Sequence, residues 1–170
     1  MKKRGKVTYA GHDFKEPLGD IVVLAVPYGA VDSIISAHKD ELKGKVLIDI
    51  TNPVNFDTFD SLVVPADSSA AAEIQKKLPD TFVVKAFNTT FAATLASGLV
   101  GGKEKATVLL ASDSEDAKKK VGEALEGSPL AVKDAGSLKR ARELEAMGFL
   151  QITLAARGQF GWTDGFAVIG

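Results

Sequence analysis

Short runs rich in Val, Ile, Leu and Phe alternate along this chain with stretches whose apolar residues return every three or four positions. The runs are Lys6 to Ala10, Asp20 to Val26, Lys45 to Ile50, Thr81 to Ala86, Ala106 to Ala111 and Leu130 to Lys133. IVVLAV and VLIDI are apolar without strict alternation, the pattern of strands covered on both faces, and this predicts a parallel sheet.

The intervening stretches predict helices. Val31, Ile34, Ile35, His38 and Leu42 share one face, with Gly44 as the stop, and His38 is expected at the edge of the core rather than in a catalytic role. Asp67, Ser68 and Ser69 are cap candidates before AAAEIQKKL, where Ile74 and Leu78 lie one turn apart. Ser112 followed by Glu115 reads as a capping box ahead of the stripe Ala117, Val121, Ala124 and Leu125. A longer helix is predicted from Ser137 to about Arg157, with the charges of KRARELE on its solvated side, and Phe166 to Ile169 as a last short strand. The whole reads as one doubly wound α/β domain over residues 1–170, with a helical C-terminal appendage over about residues 137–170.

Charge and composition then narrow the function. Lys plus Arg number 21 and Asp plus Glu 22, a net charge of -1 that gathers neither nucleic acid nor anionic lipid. The absence of cysteine removes disulfides, thiolate metal sites and thiol nucleophiles, and with two histidines no transition-metal site is expected. The longest apolar run, Ile21 to Val26, falls far short of the roughly 20 residues of a membrane span, and the start MKKR leads into no signal-type apolar core. A cytoplasmic location is expected. There is no GxSxG, so a serine hydrolase is not indicated.

In doubly wound sheets ligands sit outside the carboxyl ends of the strands. Those ends read Val26-Pro27-Tyr28, Thr51-Asn52-Pro53 and Phe87-Asn88. Asn52 and Asn88 either supply amide donors and acceptors to a planar carboxamide or ribose hydroxyl, or only shape the turns.

LAVPYGAV, VLIDITNPVNF, ADSSAAAEIQKKLP, VVKAFNTTFAATL and DAGSLKRARELEAM, in that order, resemble the deazaflavin-dependent NADP oxidoreductases and their bacterial dinucleotide-binding relatives. The resemblance implies a Rossmann-like domain that binds NADP and passes hydride between it and a deazaflavin, flavin or other small acceptor. Val26, Pro27 and Tyr28 would then flank the ribose and pyrophosphate, with Thr51, Asn52, Pro53 and Asn88 around the nicotinamide. The turn with Gly11, His12 and Lys15 would read the adenosine ribose and its 2′-phosphate, although His12 and Lys15 also suit ordinary exposed turn positions and Asp13 favours a bare hydroxyl. Hydride transfer between two bound cofactors needs no dedicated acid or base, so no catalytic residue is named.

One departure stands out. The family begins with a strand, a GxGxxG turn and a helix, whereas no two glycines here are spaced i, i+2. Val7 to Ala10 resembles a second strand without the first, so the expected sheet lacks its central strand. If the absent turn supplied two charge-assisted hydrogen bonds, NADP affinity would fall by about two to four decades. The competing expectation is a non-catalytic remnant that self-associates as an interaction domain.

Overall fold

The structure, a computed structural model, describes residues 17–169. The expected strand Lys6 to Ala10 and the turn residues Gly11, His12 and Lys15 lie outside the described residues. Five strands form the main sheet in the order β1-β2-β3-β6-β7: β1 Ile21–Leu24, β2 Val46–Asp49, β3 Phe82–Lys85, β6 Thr107–Ala111 and β7 Ala131–Gly136. Each falls on one of the apolar runs.

β1, β2 and β3 are parallel and in continuous register, with Leu24 opposite Asp49 and Asp49 opposite Lys85. β6 meets β3 antiparallel through Lys85 and Ala111, and β7 runs parallel to β6. The sheet is therefore mostly parallel, as expected. The reversal after β3 follows from its connection, which holds α3 (Ala92–Ser97) and a small hairpin of β4 (Leu99–Val100) and β5 (Glu104–Lys105). At about 1.5 Å per residue α3 is too short to carry the chain back across the sheet.

β2 explains the missing alternation, since all four of its residues are buried. Leu47 points into a core with Val31 and Ile35 of α1 (Tyr28–Ala37), Ile74 of α2 (Ala70–Lys77) and Leu138 and Ala141 at the start of the C-terminal helix. Val46 and Ile48 point the other way, into a core with Val84, Val108, Leu110 and Ala117 and Val121 of α4 (Glu115–Ala124). The C-terminal helix, α5, runs Ala141–Ala156 after a 3-10 turn at Leu138–Arg140.

Four local expectations need correction. β1 is not covered on both faces among the described residues, because Val23 is half exposed. α1 ends at Ala37, and Leu42 reaches the core through turns rather than as helix. Phe166 to Ile169 form no strand; among the described residues no edge pairs with them, and Phe166 N instead donates to Gln151 Oε1 at 3.3 Å. Finally, Ser114, not Ser112, caps α4: its Oγ accepts from Ala117 N at 3.2 Å. Ser112 Oγ donates to the carbonyl of Val83 at 2.7 Å and so ties the end of β6 to β3. Ser114→Ala is expected to lower stability by about 1 kcal/mol, measured by urea unfolding, as loss of an N-cap commonly does.

Candidate functional site

Because β1, β2 and β3 are parallel and in register, their carboxyl ends form one rim. Asn52 and Asn88 each stand three residues past an aligned strand end and meet there side by side. Asn52 Nδ2 donates to the Asn88 carbonyl at 3.1 Å, while Asn88 Nδ2 donates to Asn52 Oδ1 at 3.0 Å and to the Leu144 carbonyl of α5 at 2.8 Å. Both partners of Asn88 Nδ2 are acceptors, so the amide orientation is fixed. Phe87 takes a left-handed backbone, φ 66°, just before Asn88, a strained placement of the kind that sites tend to hold.

This leaves one consequence at the rim. Asn88 Oδ1 and Thr51 Oγ1 are the two buried side-chain polar atoms with no hydrogen-bond partner among the described residues. Asn88 is 7% exposed and Thr51 4%. A buried, unsatisfied polar atom costs about 1–3 kcal/mol, a cost that a polar ligand reaching these strand ends would offset.

Below the rim lies a charged network that the sequence reading missed. Lys85, wholly buried, donates from Nζ to Asp49 Oδ2 at 2.8 Å and to the Thr51 carbonyl at 2.5 Å, and pairs with Glu145 Oε1 at 2.9 Å. Glu145 in turn accepts from Ala70 N and Ala71 N at 2.8 and 3.3 Å, holding the start of α2. Burial pushes the Glu145 carboxyl up from its ordinary range against the pull of Lys85, with the Asp49 charge adding to the rise. The expectation that the charges of KRARELE are solvated therefore fails at Glu145. Lys85 inside FVVKAF was the signal: a cation within an apolar run must find buried carboxylates.

α5 closes the site from above, and Gly148 permits it. A Cβ there would lie 2.4 Å from Asn52 Oδ1, 2.9 Å from the Asn88 carbonyl and 3.0 Å from Asn88 Nδ2. No side chain can stand between α5 and the asparagine pair, a close approach that sequence spacing alone did not reveal.

On the β1 side, Val26 and Tyr28 are half-buried against the first core, and Pro27 is exposed at the N-cap position of α1. No side chain caps this helix start. Burial, followed by the carboxylates of Asp32, Glu145, Glu73 and Asp49, pushes the Tyr28 hydroxyl above its ordinary range, so at neutral pH it is a donor. Pro53 is buried next to Asn52. His38 sits away from this rim at the end of α1, with Nδ1 2.8 Å from Glu41 Oε1. Among the described residues no group of three or more His, Asp or Glu could hold a metal, and no helix is long and apolar enough to cross a membrane.

A mostly parallel sheet with polar groups gathered at the carboxyl rim defines a Rossmann-like α/β protein. Residues 6–53 match the family described as NADP oxidoreductase, coenzyme F420-dependent. Over 140 residues the chain is 33% identical to the F420-dependent NADP reductase of Methanocaldococcus jannaschii, covering 80% of this chain and 62% of that one. It is 31% identical over 142 residues to the rat metalloreductase STEAP3, covering 84% of this chain and 27% of the relative. A solved structure from Arthrobacter, provisionally assigned as an F420-dependent NADP reductase, superposes with a TM-score of 0.78 at 26% identity over 89% of this chain and 69% of that one. The family model and these relatives together support the F420-dependent NADP oxidoreductase family, and the chain spans 62% of the length of the archaeal reductase it matches.

Proposed function

We propose that this rim holds the nicotinamide end of NADP(H) in an oxidoreductase that passes hydride to or from a deazaflavin, a flavin or another flat acceptor. The observation that carries the reading is the pair of orphaned polar atoms, Asn88 Oδ1 and Thr51 Oγ1. A primary carboxamide offers N–H donors and a carbonyl acceptor, which fits an acceptor-only oxygen beside a hydroxyl that can donate. Val26, Pro27 and Tyr28 would flank the ribose and pyrophosphate at the start of α1, whose first turn carries no side-chain cap and whose N-terminal dipole favours negative charge. Gly148 would keep α5 close enough to exclude water from one side. The names of the archaeal and Arthrobacter relatives support the cofactor and the reaction class.

When bound, the nicotinamide supplies the hydride chemistry. The part of this chain is to orient it: Asn52 fixes the Asn88 amide, Lys85 fixes the Thr51 carbonyl, and both polar atoms are thereby aimed before any ligand arrives.

Thr51→Val separates binding from folding, because the hydroxyl it removes has no partner within the described protein. NADPH titration, followed by nicotinamide fluorescence, is expected to show affinity about tenfold lower, the worth of one hydrogen bond near 1.4 kcal/mol. The thermal midpoint should stay level or rise. Unchanged NADPH affinity in Thr51→Val would count against the reading.

A further inference from the structure

Between Asn52 and α2 the chain makes a small hairpin. Val54 bridges Leu62 antiparallel, Asn55 N donates to the Ser61 carbonyl at 2.9 Å, and Val63 N donates to the Pro53 carbonyl at 2.8 Å. At its tip Phe59 N donates to the Asn55 carbonyl at 2.8 Å, and Asn55 Oδ1 accepts from Asp57 N at 3.0 Å. Phe56 and Phe59 meet edge to face, with ring centroids 5.4 Å apart and planes at 84°. They are 59% and 42% exposed, and Phe59 takes φ 52°, a left-handed conformation that an aromatic residue rarely adopts. The loop thus holds two rings in water at a conformational cost, and neither ring belongs to either core.

We propose that Phe56 and Phe59 form the stacking platform for the flat heteroaromatic ring of the hydride acceptor. This rests on reading the Thr51–Asn88 rim as the nicotinamide site. Three observations select that occupant. The hairpin begins directly after Asn52, with Val63 N bonded back to the Pro53 carbonyl, so it is anchored at both ends to the rim from which hydride would leave. Its only charged residues are Asp57 and Asp60, so the tip suits an uncharged ring and repels phosphate or an anionic surface. The apolar area the two rings leave open, on the order of 200 Å² from the usual area of an aromatic side chain, matches one face of a tricyclic ring. A stable protein partner would need roughly 800 Å².

The test uses riboflavin, a neutral isoalloxazine, titrated into the full chain saturated with NADP⁺, so that both ligands are oxidised and nothing turns over. Phe56→Ala and Phe59→Gly are each expected to weaken riboflavin binding about tenfold, the scale of one aromatic stack, with NADP⁺ affinity unchanged. Phe56→Tyr should bind riboflavin as the parent does. Phe59→Gly should also raise the thermal midpoint, because glycine accepts the left-handed backbone that phenylalanine resists. A merely structural pair of rings would give the opposite sign. Riboflavin affinity unchanged in both ring deletions, or no riboflavin binding by the parent protein, overturns the platform. Concentration-dependent self-association that Phe56→Ala abolishes overturns it too, by making a second copy the occupant. Ring-dependent riboflavin binding by a protein that does not bind NADP⁺ would instead overturn the nicotinamide reading and leave the platform standing.

Discussion

Lys85→Met is expected to destabilise the protein by about 3–5 kcal/mol, the penalty for leaving buried carboxylates without their cation. Lys85 is the cation shared by Asp49 and Glu145, and all three side chains are buried. Domains of this size have about 5–15 kcal/mol in total, so Lys85→Met should be unfolded or nearly so at 37 °C by circular dichroism. Adding Glu145→Gln should recover part of the loss, because one buried negative charge is removed. Glu145→Gln alone tests the sign of the carboxylate's own contribution. An acid whose folded pKa is raised holds its proton more tightly when folded, so stability is fullest below the unfolded value of 4.5 and falls as pH rises above it. Urea midpoints should therefore decline from pH 4 upward more steeply in the parent protein than in Glu145→Gln. Parallel pH curves would show that Lys85 fully offsets the burial of Glu145.

Gly148→Ala sets two rules against each other. Within α5, alanine is favoured over glycine by about 1 kcal/mol of helix propensity. Its Cβ, however, would lie 2.4 Å from Asn52 Oδ1 and 2.9 Å from the Asn88 backbone carbonyl. Overpacking costs about 1–3 kcal/mol and breaking the asparagine pair leaves buried groups unpaired at about 1–3 kcal/mol, so packing wins. The expected net loss is about 1–5 kcal/mol, with weaker NADPH binding. Gly122→Ala in α4 is the control, since its Cβ would meet nothing within 4 Å. That substitution should gain about 0.5–1 kcal/mol. A stable, fully binding Gly148→Ala would mean that α5 can draw back from the rim without consequence.

The strands were legible because burial on both faces of β2 writes itself into the sequence as VLID, and β1, β3, β6 and β7 lie on runs of similar composition. Parallel strands also make rim residues predictable: a position just past each apolar run ends at the same edge, which is why Asn52 and Asn88 could be singled out before their hydrogen bonds were seen. What could not be read was cross-chain pairing. Glu145 looks like its solvated neighbours Arg142 and Glu143 until Lys85 is brought beneath it from β3. Gly148 gives no signal as a helix-interior glycine, because its need for no side chain is set by Asn52 and Asn88. The Phe56–Phe59 hairpin was equally silent, since it obeys turn geometry rather than a period. Ser112 misled for a related reason: its hydroxyl bonds to Val83 across the sheet, and Ser114 becomes the cap.

The most direct measurement of the central claim pairs a cut in the ligand with a cut in the protein. NADP⁺ and its 3-acetylpyridine analogue, which lacks the carboxamide nitrogen, are each titrated into the parent protein and into Asn88→Ala. If Asn88 Oδ1 reads that nitrogen, the parent should prefer NADP⁺ by about tenfold, one hydrogen bond's worth, and Asn88→Ala should bind the two alike. The same preference in both proteins would contradict the account, placing the carboxamide somewhere other than at the asparagine rim.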